Sequence, residues 1–167
     1  QLLEGSDFIP LLDNLNRTLH QIADKKTFVT FALMVFDKER ERITIATAGH
    51  PPILHYLPKK KLLGTHRTKN LALGLVEETT FDMEQFPLVS GDTFLLYTDG
   101  LIETQNENGR EFGEEFLQIE FEKTWKLDPS RISARMIGAV QAFTGQDALP
   151  DDATVVGCLL YTSPSPR

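Results

Sequence analysis

Four absences bound what this chain can be. Its 167 residues hold a single cysteine, Cys158. No internal disulfide framework can form, and the count fits a reducing, cytoplasmic compartment. Only four histidines accompany it, scattered along the chain, which argues against a Cys/His zinc site. Basic residues are in deficit: 17 Lys and Arg face 24 Asp and Glu, for a net charge of −7. Sequence-independent nucleic-acid binding draws its affinity from cations on phosphate, so no nucleic-acid partner is expected. The one basic run, Lys59-Lys60-Lys61, reads as a solvated loop. Long hydrophobic runs are missing too; no apolar stretch approaches the ~20 residues that cross a bilayer, so no membrane contact is expected. Finally, no secretory leader is present, and the chain opens on Gln1 rather than Met, as a fragment would.

What is present is ordinary for a soluble globular domain: 41% hydrophobic and 25% charged residues. The length suits one domain with a real core. Phe8, Leu11, Leu12, Leu15, Leu19 and Ile22 recur at helical spacing and predict a helix over 6–22, capped by Ser6 or Asp7. Residues 27–36 form a nearly continuous apolar run, the signature of a strand buried on both faces. The charged stretch from Asp37 to Arg42 is a turn, and Ile43–Gly49 completes a hairpin. Ile53–Leu57 is extended, residues 59–70 read as a loop, and Phe81, Met83 and Gln85 alternate like a half-buried strand. Gly91-Asp92 opens a strand that ends at Asp99. Two helices follow, one carrying Phe112, Phe116 and Leu117, the other starting at Asp128-Pro129 and carrying Ile132, Met136, Val140 and Phe143. The last strand begins at Thr154. Strands in the middle and helices at both ends predict an α+β layered domain rather than alternating βαβ units.

Two carboxylate positions stand out. Phe94-Leu95-Leu96-Tyr97-Thr98 runs into Asp99-Gly100, and Asp151-Asp152 precedes Ala153-Thr154-Val155-Val156-Gly157. Carboxylates at strand ends, held by rigid backbone, can build a site for hard cations. The residues alone leave a second reading open, because Asp-Gly is also a turn and Asp-Asp also a loop.

The motifs in order carry a resemblance. Phe28-Val29-Thr30 is followed by Thr47-Ala48-Gly49-His50-Pro51-Pro52, Leu73-Gly74 and Gly91-Asp92. Then come Tyr97-Thr98-Asp99-Gly100-Leu101-Ile102-Glu103, Phe112-Gly113 and Asp151-Asp152-Ala153-Thr154. This series resembles the SpoIIE/RsbU type of the metal-dependent protein phosphatase (PPM, protein phosphatase 2C-like) family, over roughly residues 1–157. The resemblance implies a layered α-β-β-α sandwich of two antiparallel sheets flanked by helices. It implies hydrolysis of phosphoserine or phosphothreonine with two Mn²⁺ or Mg²⁺ ions. Carried across by motif, Asp99 and Asp151 correspond to metal ligands, with Asp152 the second choice of its pair. The substrate it implies is a phosphorylated protein, such as a STAS-domain anti-sigma-factor antagonist, and the family's regulators can form homodimers.

One family segment has no counterpart. Gly-Asp-x-Ser-Gly-His-Gly, whose Asp bridges both metals, matches nothing in residues 1–30. The expectation is a domain missing its first strands and an inactive fragment with an active parent. A second expectation concerns the last ten residues, Cys158–Arg167, which read as the translation of a common transposase sequencing adapter joined after Gly157.

Two-metal hydrolysis suits this composition. Hard cations prefer carboxylate and water, and no covalent Ser, Cys or His nucleophile is needed. Other residues read more plainly. His50 fixes the Ala-Gly-His-Pro-Pro turn, Thr98 satisfies a local backbone group, Glu103 is an exposed helix residue, and Asp92 occupies a turn. The competing reading is a degenerate, non-catalytic module for partner binding, but a scaffold needs neither Asp99 nor Asp151. An aspartate-nucleophile phosphotransferase needs an early Asp-x-Asp, which is absent.

Overall fold

The structure, a computed structural model, describes residues 8–23, 27–39, 41–147 and 152–161. In chain order its elements are α1 (Ile9–Ile22), β1 (Phe31–Asp37), β2 (Arg42–Ala48), β3 (Ile53–Leu57), β4 (Leu62–His66), β5 (Glu84–Pro87), β6 (Thr93–Tyr97), α2 (Asp99–Ile102), α3 (Gly113–Thr124), α4 (Pro129–Thr144) and β7 (Val155–Leu159). The fold is α+β, with two antiparallel sheets and flanking helices. Sheet order is β1-β2-β5 in one and β4-β3-β6-β7 in the other. The described residues group into two compact units, one within 1–52 and 66–88 and the other within 53–65 and 89–167.

In the first unit, the charged turn after Asp37 folds the apolar run back on itself. Phe31 faces Ala48 and Asp37 faces Arg42 across the hairpin. The expected doubly buried strand is corrected here. β1 starts at Phe31 rather than Thr27 and is only half-buried along its length. It sits at one end of the three-strand order, so a neighbour covers one side only. β2 has neighbours on both sides and is buried at every residue after Arg42. Ahead of β1, Val29 and Leu73 exchange two backbone hydrogen bonds of 2.9 Å. The alternating segment expected around residues 81–85 becomes strand at Glu84–Pro87, and Phe81 is core instead.

Helix α1 forms as its periodicity predicts, with Pro10 in its first turn, where its missing N–H costs nothing. Ser6 and Asp7 lie outside the described residues. Leu12, Leu15 and Leu19 pack with Ala46, Ala48, Leu73 and Phe81. A buried polar residue interrupts this apolar face. Asn16 Nδ2 donates to the carbonyls of Val76 and Glu77 at 3.0 and 3.1 Å, and its Oδ1 accepts from Gly74 N at 2.8 Å. His20 Nδ1 donates to the Gly74 carbonyl at 2.9 Å. Gly74 has φ +84°, and a Cβ there would stand 3.2 Å from Leu19 Cβ. Helix and loop therefore meet at a position only glycine serves well.

In the second unit β6 is flanked by β3 and β7. Leu117 and Phe121 from α3, and Ile132, Met136 and Val140 from α4, cover Leu54, Leu95 and Tyr97. Residues 59–70 are not all loop, which corrects the sequence expectation. Lys61, at φ 52°, ends a turn, and Leu62–His66 returns as β4 beside β3. Five residues that include a glycine are too short a run to show a period. Phe112 precedes α3 rather than lying within it and is buried in the core. β7 runs two residues past Gly157. Cys158 faces Phe94 and Leu159 faces Thr93, and Leu160 exchanges backbone bonds with Gly91 and Asp92.

Candidate metal centre

The centre is built from the ends of two paired strands. β6 leaves the core at Tyr97, and its last apolar residues are buried or nearly so. Thr98 stays extended and Asp99 opens the four-residue helix α2. The Asp99 carboxylate is exposed, and its Oδ1 accepts a hydrogen bond from Gly100 N at 3.0 Å. The main chain at this turn is thus fixed while the carboxylate itself faces solvent and stays available.

The second carboxylate segment is held beside it. Tyr97 faces Val155 across the β6–β7 ladder. One residue beyond, Thr98 N donates to the Thr154 carbonyl at 3.0 Å, and Thr154 N donates to Thr98 Oγ1 at 2.9 Å. Thr98 therefore satisfies local backbone, as its sequence position predicts. Gly100 is buried against the main chain of Asp152, and a Cβ on it would collide with the Asp152 carbonyl. Thr104 Oγ1 donates to the Gly100 carbonyl at 2.6 Å and fixes the far side of the turn. Asp152 is exposed at the start of the β7 approach. Asp151 lies outside the described residues.

The donors gathered here are oxygens, which suits hard divalent cations rather than zinc or copper. Among the described residues, no group of three or more His, Cys, Asp and Glu side chains stands together in a metal-holding arrangement. Asp99 and Asp152 stand on neighbouring segments at one end of one sheet.

The remaining sequence candidates fall elsewhere. His50 Nδ1 donates to the Pro51 carbonyl at 2.9 Å, a turn-fixing bond of the kind its motif predicts. Glu103 is exposed, and its backbone N–H bonds back to the Asp99 carbonyl at 2.9 Å. Asp92 is more than a turn residue. It is 2% exposed, and its Oδ2 accepts from His55 Nε2 at 3.0 Å. His55 is itself buried and stacks on Phe94 with ring centroids 4.1 Å apart. A histidine in the middle of an apolar strand needs a polar partner, and that was the available signal. At the other end of the unit, burial pushes the Cys158 thiol pKa above its usual value.

Comparison with known proteins agrees with this architecture. The family model of Stage II sporulation protein E (SpoIIE) matches residues 2–159. The chain is 34% identical over 101 residues to phosphoserine phosphatase RsbU of Bacillus subtilis (strain 168), a match spanning 59% of this chain and 30% of that protein. The chain thus spans less than a third of the length of this curated relative. Among solved structures, the SiaA-PP2C domain of Pseudomonas aeruginosa superposes with a TM-score of 0.77 at 17% identity, covering 90% of this chain and 59% of that one. The phosphatase domain of the cell-fate determinant SpoIIE from Bacillus subtilis, presoaked with Mn, superposes at 0.67 with 18% identity, covering 98% and 77%. With a family model matched along nearly its whole length, and with two antiparallel sheets flanked by helices, the chain belongs to the SpoIIE family and has the fold of its PP2C phosphatase domains.

Proposed function

We propose that these residues carry part of the metal site of a phosphoserine/phosphothreonine protein phosphatase that works with two Mn²⁺ or Mg²⁺ ions. Asp99 and Asp151 are the ligands in this reading, with Asp152 the second choice of its pair. The observation that carries it is the apposition of the two motif segments. Thr98 bonds to both the N–H and the carbonyl of Thr154, and Gly100 leaves no gap before Asp152. A site for hard cations needs converging oxygen donors at fixed spacing, and this pairing supplies the fixed spacing.

When bound, the ions supply an activated water and relief of phosphoryl charge. The chain's own residues perform the positioning. Asp99 presents an exposed carboxylate on a turn whose main chain Gly100 and Thr104 hold. Thr98 couples that turn to the segment bearing Asp151 and Asp152. The substrate in this reading is a phosphorylated partner protein of a bacterial signalling pathway, a STAS-domain anti-sigma-factor antagonist being the leading case. Likeness to a relative named as a phosphoserine phosphatase supports phosphoserine as the group removed. In this reading the 167-residue chain alone hydrolyses little, because no segment of it matches the Gly-Asp-x-Ser-Gly-His-Gly motif whose Asp bridges the two ions.

The test is phosphate release from a phosphoserine-bearing STAS protein by the product of the complete reading frame that contains these residues. Release is expected to require Mn²⁺ or Mg²⁺ and to fall by about 100-fold or more in Asp99→Asn and Asp151→Asn, since each substitution removes a charged metal ligand. Hydrolysis that survives both chelation and Asp99→Asn sinks the reading.

A further inference from the structure

We propose that the groove between α3 and α4 is a docking site for a short acidic and apolar segment of a partner protein. The groove lies on the helical face of the second unit and plays no part in the metal site. One recess of about 550 Å³ is lined by Phe112, Phe116, Phe143 and Arg135, among others. It shares Ala134 and Arg135 with a second recess of about 490 Å³ that reaches Arg131 and Lys123. The two adjoin at these residues, aromatic rings lining the first and basic side chains the second.

The aromatic end is preformed. Phe143 meets Phe112 edge-on at 5.5 Å and Phe116 at 5.8 Å. Phe116 is nevertheless 36% exposed, an apolar ring held open to solvent. The floor is of small residues, Gly138 and Ala142 among them, so a segment can lie close to α4.

Charge selects the occupant. The Arg110 guanidinium sits 5.0 Å over the Phe116 ring, and Arg131 and Arg135 are exposed on α4. Among the described residues none of these three has an ion-pair partner. The acid of the groove, Glu120, is already engaged by Lys123 at 2.6 Å. Of the charged side chains that line the two recesses, Lys123, Arg131 and Arg135 are basic and only Glu120 is acidic, in a chain of net charge −7. Guanidinium forks take carboxylates bidentately, and the ring pocket takes an aliphatic or aromatic anchor. A second copy presenting the same face would set arginine against arginine, and a flat lipid surface does not fill a recess. An Asp/Glu-rich segment with one or two large apolar side chains meets both demands.

Panning the full chain against a random dodecapeptide library displayed on phage tests this without any need for catalysis. Selected peptides are expected to combine Asp or Glu with Leu, Ile, Phe or Trp. Their binding, read by fluorescence anisotropy, is expected to weaken roughly tenfold or more in the Arg131→Glu/Arg135→Glu double variant and to weaken with added salt. Both arginines are exposed, so the thermal melt of that variant is expected to match the parent. Phe116→Ser reports separately on the apolar anchor. Selection of peptides without acidic residues, failure to enrich any peptide, or equal binding by the charge-reversed variant overturns the proposal. So does a homodimer that Phe116→Ser dissolves, or capture by phosphatidylserine vesicles that the double variant abolishes.

Discussion

Gly100 lies directly against the backbone of Asp152, with no space for a methyl group between them. The contact joins two motifs more than fifty residues apart and sets how closely the Asp99 turn approaches the terminal carboxylate pair. Gly100→Ala must push the two segments apart. A loss of about 1–3 kcal/mol is expected, the usual cost of forcing an atom into a filled site. Chemical denaturation measures it, and Mn²⁺ titration of the complete protein is expected to weaken in parallel. An unchanged midpoint and unchanged metal affinity would refute the tight contact.

Thr98 offers a subtler perturbation. Thr98→Val keeps the shape but removes the oxygen that accepts from Thr154 N. That N–H then has water as its replacement partner, since Thr154 is exposed. The expected cost is therefore modest, about 1 kcal/mol. Thr98→Ser retains the acceptor and should recover most of the loss. Amide exchange at Thr154, measured by NMR, should quicken in Val and not in Ser.

The buried His55–Asp92 pair predicts the largest single effect in the second unit. Asp92→Ala leaves His55 facing an apolar strand without its carboxylate. Breaking one side of a buried pair typically costs about 3–5 kcal/mol. A drop in melting temperature is expected to accompany it, and Asp92→Asn, which can still accept from His55 Nε2, should lose less. Equal losses for Ala and Asn would show that the hydrogen bond is not what matters.

Asn16 makes the matching prediction for the first unit. Asn16→Leu fits the apolar face of α1 but strands the buried Gly74 N–H and removes the donor to the carbonyls of Val76 and Glu77, which lie on exposed residues. Leaving a buried backbone group unpaired costs about 1–3 kcal/mol, so burial should not offset the loss. The signature is faster hydrogen exchange at Gly74 and its neighbours, with the second unit unaffected.

Cys158 carries the pH prediction. Burial favours the neutral thiol, so its folded pKa exceeds the unfolded one. The associated stability is complete below the unfolded thiol pKa and is lost as pH rises through the folded value. Alkylation by iodoacetamide near neutral pH should therefore be slower in the folded chain than after denaturation. Equal rates would contradict the burial.

Parts of this were legible in the residues. The strand Ile53–Leu57, the helix carrying Ile132, Met136 and Val140, and the strand Thr93–Tyr97 that leads to Asp99 each follow from apolar pattern and flanking breakers. The depth of β1 did not follow, because an apolar run reports side-chain character and not how many strands lie alongside. β4 escaped for want of length. The His55–Asp92 pair joins residues 37 apart, and no local pattern encodes such a distance. The closeness of the Asp99 turn to Asp152 came only through the ordered motifs; its structural cause is an alignment of two strands.

That alignment has a consequence for register. Side chains alternate sides along an extended chain, so a strand that slips by one residue turns each of its side chains to the opposite face. Sliding β7 by a single position against β6 would carry Asp152 away from its place against Gly100. The hydroxyl of Thr98, bonded to Thr154 N, resists that slide. A neutral hydroxyl would then keep the second acidic segment at the Asp99 turn.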